Sequence, residues 1–156
     1  GEQPGDEDDK AQRPFIGPAG QVLDRALKDA DIHRSEVYLT NAVKHFKHTL
    51  RGQRRLHQTP DTSEIDACRW WLDQEMGLLR PRVTVMLGAT AYRAVSGKSG
   101  AVGKLREGHI PLKEGVGLVS WHPAYILRVP DRNAADAAYF NLVQDLQRAA
   151  SIVKSD

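Results

Sequence analysis

Two short runs constrain this chain more than anything else in it. Val-Thr-Val-Met-Leu at 83–87 is closed by Gly88, and Val-Gly-Leu-Val-Ser at 116–120 is closed by Trp121, His122 and Pro123. Neither run shows a polar face, so each reads as a strand buried on both sides, over Val83–Gly88 and Val116–Trp121. Such strands need helices above and below them, and the flanking sequence supplies helical spacing. Val22, Leu23, Ala26 and Leu27 follow Pro18, a good first-turn residue, and predict a helix over roughly 18–30. Thr62 or Ser63 can cap a helix running through Ile65, Cys68, Trp71, Leu72 and Met76 to about Leu79, with Pro81 as its stop. Ala89–Val95 and Asn133 to about Val153 read as two more helices.

Glu36–Val43, rich in β-branched residues, predicts a further strand, and polar, basic residues 44–61 read as a loop. Residues 96–109 hold four glycines and read as an exposed connection. Strands alternating with helices at this spacing imply an α/β fold with a mostly parallel sheet. At 156 residues this is one domain's worth of chain.

Net charge is only +2, but it is unevenly spread. Residues 1–9 carry Glu2, Asp6, Glu7, Asp8 and Asp9 with no cation, and residues 37–60 carry Lys44, Lys47, Arg51, Arg54 and Arg55 with no acid. A basic loop beside an acidic pocket can grip a phosphate backbone while presenting carboxylates to chemistry; two solvated surface segments would look the same. The single cysteine, Cys68, rules out an internal disulfide. No apolar run approaches a membrane span of about 20 residues, so a cytoplasmic protein is expected.

In open α/β sheets ligands bind beyond the carboxyl ends of strands, which directs attention to Asn41, Gly88 and His122. An Asn can donate and accept, and so can match the edge of a base, though at a strand end it is more often a turn residue. His122, before a proline at the mouth of a sheet, can donate to a carbonyl or a developing anion, though a lone His is more often structural. Glycines at 1 and 5 allow close backbone approach around Glu2, Gln3 and Asp6. Phe15 can plug a core or stack on a flat base. His57, after Arg54 and Arg55, offers an imidazole nucleophile near cations that attract phosphate. Each of these signals is weak alone.

Together, GEQPGDEDD…RPFIGPAG, TNAVK and HPAYILR resemble three motifs of the uracil-DNA glycosylase superfamily, in its iron–sulfur families 4 and 5, from Gly1 to the final helix. Family 4 enzymes usually have Lys-Cys-Arg-Pro-Pro after the second motif, whereas here the chain reads VKHFKHTLRGQRRLHQTP. That longer loop, with Arg-Arg-aliphatic-His-x-Thr-Pro, resembles the covalent, uracil-trapping UdgX type.

The resemblance implies a three-layer α/β/α fold around a mostly parallel four-stranded sheet, and a bacterial DNA-repair enzyme. It implies that Phe15 stacks on a flipped uracil, Asn41 reads its Watson–Crick edge, and Gln3 lines the pocket beside the carboxylates of Glu2 and Asp6. His122 would stabilise charge on uracil O2, and His57 would attack the anomeric carbon and remain bonded to it. Arg54, Arg55 and Arg128 would contact the DNA backbone, with single-stranded DNA preferred and the protein a monomer. A [4Fe-4S] cluster is implied, with Cys68 at the last ligand position, His45 at a third, and two ligands before the first motif. The family's strand before the GEQPG motif is likewise expected to lie outside the sequence. A conventional multiple-turnover family 4 enzyme, or a catalytically silent DNA-binding relic, are the alternatives.

Overall fold

A computed structural model describes residues 17–41, 48–51, 54–57 and 62–155, with only the backbone described for 48–51, 54–57 and residues 62, 64, 67 and 68. Pro18 opens α1 (Pro18–Asp29), where its missing N–H is no loss. A 3-10 turn (Arg34–Glu36) follows, tied back to α1 by the Arg34–Asp24 ion pair. Then come β1 (His48–Arg51), β2 (Arg54–His57), α2 (Thr62–Leu79), β3 (Val83–Leu87) and α3 (Ala89–Ser96). After these come α4 (Val102–Leu105), β4 (Ile110–Pro111), β5 (Val116–Ser120), α5 (Pro123–Arg128) and α6 (Arg132–Lys154). Asp131 caps α6 by accepting from the Asn133 N–H at 3.2 Å.

The two apolar runs pair in parallel, from Val83 with Val116 to Leu87 with Ser120. β4 adds to the other side of β5, antiparallel, through Ile110 and Pro111. The pleat sends alternate side chains to opposite helix layers. Val85 and Leu87 join Leu23, Ala26 and Leu27 of α1 and Leu142 and Leu146 of α6 in one cluster. Met86 and Val119 face the other way, against Ala91 and Tyr92 of α3 and Val102 and Leu105 of α4. Among the described residues this is an α/β/α arrangement around a three-stranded mixed sheet.

Three expectations need correction. The strand expected at Glu36–Val43 is not one among the described residues: it begins in the 3-10 turn, and residues 37–41 after it join no sheet among the described residues. The four-stranded sheet accordingly has three described strands. The reason is spatial, because a cavity of about 760 Å³ separates residues 36–40 from β3. Leu23 and Leu146 line one face of that cavity, and Leu72 and Met76 of α2 line the other. The 37–40 segment is held to α2 instead, where the Tyr38 hydroxyl donates to Glu75 Oε2 at 2.7 Å and Thr40 Oγ1 to Glu75 Oε1 at 3.2 Å. Bonding to that carboxylate favours the protonated phenol and raises the Tyr38 pKa above its ordinary value, burial adding to the effect.

The second correction concerns the basic loop at 44–61, which contains an antiparallel hairpin with Arg51 opposite Arg54 and His48 opposite His57. Only Gly52 and Gln53 separate the strands, a two-residue Gly-X spacing that favours hairpins. Third, the connection at 96–109 is not simply exposed. Val102 and Leu105 pack on the Met86–Val119 cluster, because a four-residue helix turns them inward.

Candidate active site

The parallel register brings the carboxyl ends of β3 and β5 side by side, and the chemistry-bearing residues follow at once. Gly88, just past β3, donates its N–H to the Ser120 carbonyl at 2.9 Å and so extends the ladder by one bond. It does so at φ +97°, ψ 168°, a region essentially reserved for glycine. A Cβ placed there would lie 3.3 Å from His122 Cβ, so the missing side chain is what seats His122 against the end of β3.

His122 caps α5. Its backbone is extended (φ −68°, ψ 135°), Pro123 takes the first helical position, and its Nδ1 accepts from the Ala124 N–H at 3.0 Å. A neutral imidazole that accepts at Nδ1 carries its proton on Nε2. The cap therefore fixes both ring orientation and tautomer, and leaves Nε2–H as the ring's donor. Trp121 and Tyr125 bracket the turn with ring centroids 4.8 Å apart.

The other expected residues fare unequally. Asn41 is buried, at 6% exposure, at the end of the 37–41 segment. Arg128 is exposed in the last turn of α5. Arg54, Arg55 and His57 are placed by backbone alone, in β2, and Cys68 by backbone alone, in α2. Glu2, Gln3, Asp6, Phe15 and His45 lie outside the described residues. Sequence reasoning noticed Gly88 only as a strand end; its role as the seat of His122 depends on a register that no local pattern reveals.

Of the four ligands that a [4Fe-4S] cluster takes, usually cysteines, this sequence supplies one cysteine, Cys68 in α2. Among the described residues no three of His, Cys, Asp and Glu are grouped to hold a metal. Among them, too, no helix is long and apolar enough to cross a membrane.

The α/β/α layer structure places a histidine and its glycine seat at adjacent strand ends, on the carboxyl edge where open α/β sheets bind their ligands. Comparison with known proteins then gives the family. Residues 1–147 match the Uracil DNA glycosylase superfamily, and the chain belongs to it. It is similar to a type-4 uracil-DNA glycosylase of Thermotoga maritima, 34% identical over 158 aligned positions that cover all of this chain and 77% of the relative. A type-4 uracil-DNA glycosylase of Pyrobaculum aerophilum is 36% identical over 138 positions, covering 83% of this chain and 67% of the relative. A type-5 uracil-DNA glycosylase of the same organism is 32% identical over 117 positions, covering 74% and 46%.

Gly88→Ala tests the seat. It should lower unfolding free energy by roughly 1–3 kcal/mol through backbone strain, measured by urea denaturation. An unchanged midpoint would show that the glycine geometry is not required.

Proposed function

We propose that this chain is a DNA-repair glycosylase that releases uracil from DNA by cleaving the N-glycosidic bond. The observation that carries the reading is the His122 cap at the mouth of the sheet, where Nδ1 accepts from the Ala124 N–H, a geometry that in a neutral imidazole leaves the proton on Nε2. A base must leave the stack before its glycosidic bond can be reached. As that bond breaks, negative charge develops on the departing uracil, and a preorganised donor aimed at O2 stabilises it without having to reorient. The sugar left behind resembles an oxocarbenium ion, which the carboxylates of Glu2 and Asp6 stabilise in this reading. Asn41 reads the uracil edge, Gln3 and Phe15 hold the base, and Arg54, Arg55 and Arg128 hold phosphates. Single-stranded DNA, a monomer and a cytoplasmic setting complete the proposal.

Water then finishes the reaction, and the enzyme turns over. The similarity to type-4 enzymes favours this conventional course. The second reading rests on the Arg-Arg-Leu-His segment that ends β2 at His57. There an imidazole nitrogen takes the place of water and bonds to the anomeric carbon, and an alkylated imidazole is a poor leaving group.

The whole chain, 1–156, is in this proposal one glycosylase domain whose sheet takes a further strand from outside the described residues. The cavity beside β3 supports it. That cavity is lined by residues of α1, α2 and α6, by residues 36–40, and by β3, among the described residues an edge strand without the proline or charge that usually guards an edge.

Three measurements test these statements. His122→Ala should slow single-turnover uracil release by roughly 10²- to 10³-fold, the usual cost of one such donor, and a wild-type rate would remove His122 from the chemistry. On a denaturing gel with uracil-containing single-stranded DNA, conventional turnover gives abasic product in excess of protein and a His57→Ser variant that works as well. A shifted protein–DNA band abolished by His57→Ser would establish trapping instead. For the domain, the peptide acetyl-Lys-Val-Val-Ile-Val-Lys-amide should slow amide exchange at Val83–Leu87 when added in trans. A version with proline at its centre should not, and equal exchange with both would exclude a strand site there.

A further inference from the structure

Asp145 is the one buried charged side chain among the described residues, at 2% exposure, and nothing in the chemistry above uses it. It projects from α6 towards the last residue of β5. Its Oδ2 accepts from the Ser120 hydroxyl at 2.6 Å and from Arg106 Nε at 3.0 Å, and its Oδ1 accepts from Arg106 Nη2 at 3.0 Å. The arginine thus meets the carboxylate with two parallel bonds, the most directional arrangement such a pair has. Arg106 is itself held in place, because Arg148 donates to its carbonyl at 2.9 Å.

Ser120 is fully buried and is fixed at both ends. Its side chain is bonded to α6 through Asp145, and its carbonyl takes the Gly88 N–H. Two residues later comes His122, resting on Gly88. A buried ion pair is a poor source of stability, since apolar residues of the same volume usually serve as well. What this network supplies is a fixed position for the end of β5, measured from a 23-residue helix packed against β3 and β5.

We propose that Ser120 and Asp145 are positioning residues that set the His122 ring for uracil release, with Arg106 holding the carboxylate in place. This rests on the excision reading above and adds the part that α6 plays in it.

The test uses Ser120→Ala and Asp145→Asn in the full chain, with three measurements. These are single-turnover release from a uracil-containing oligonucleotide, affinity for the same oligonucleotide by anisotropy, and the His122 ring nitrogens by ¹⁵N NMR. Misplacing a catalytic group by about an ångström costs on the order of 10²-fold, so a partial displacement should slow release by roughly 10- to 100-fold in both variants. Affinity should stay near wild type, and the His122 Nδ1 resonance should move in both, as its bond from Ala124 loosens. The proposal fails if the His122 resonances stay in place, whatever the rate does, or if they move and the rate does not. Should the wild-type chain release no uracil, the excision reading falls separately, and the His122 resonances alone decide whether the network sets the ring. Asp145→Asn keeps size and shape, so it serves as the second variant if Ser120→Ala proves unstable.

Discussion

Parallel pairing of β3 with β5 places Leu87 opposite Ser120, and everything at the site follows from that register. Side chains alternate along a strand, so a slip of one residue would exchange the two faces of β5. Ser120 would then turn from Asp145 into the apolar Met86–Val119 cluster, and Val119 would turn towards the carboxylate. Neither exchange is tolerable, since one buries a hydroxyl without a partner and the other leaves a buried charge short of a donor. The register is therefore held by polar complementarity on one face and apolar packing on the other. Gly88 and His122 inherit their proximity from it.

The same geometry gives His122 a restricted chemical character. Accepting from the Ala124 N–H commits Nδ1, and protonating that nitrogen would break the cap as α5 begins. A neutral ring in this position carries its proton on Nε2. A neutral donor suits a leaving group that departs as an anion, because it stabilises charge without having to surrender a proton. Pro123 contributes by fixing the backbone at the first position of α5, so the ring's direction is set before any substrate arrives.

Much of this was legible in the sequence, and the exceptions share a cause. The two apolar runs, α1, α2 and α6 announce themselves by local pattern, and their bounds fall within a residue or two of expectation. The segment 36–43 has the composition of a strand, yet composition cannot say what lies beside it, and its described residues have no strand partner. The hairpin in the basic segment is masked in the sequence because Leu50 and Leu56 are sparse among cations, and only the Gly52-Gln53 spacing points to it. His122 was readable from a histidine and a proline closing a strand. Gly88's part in seating it, and the meeting of Arg106, Ser120 and Asp145, are long-range facts. Asp145 sits among the ordinary acids of a long helix, and only its burial distinguishes it.

That burial also explains how a network of charges can lie in a small core without disrupting it. Removing a carboxylate from water costs several kcal/mol, and one partner would not offset this. Asp145 has three bonds from two side chains on different elements, so its charge is matched by a guanidinium while the hydroxyl takes the remaining direction. Losing any one of the three leaves a desolvated atom behind, which makes the arrangement close to all-or-none. A cooperative contact of this kind fixes direction as well as distance, whereas an apolar contact is non-directional and gives more tolerance. In the proposed excision, such tolerance at the end of β5 would be felt directly in the distance from His122 to the charge it has to meet.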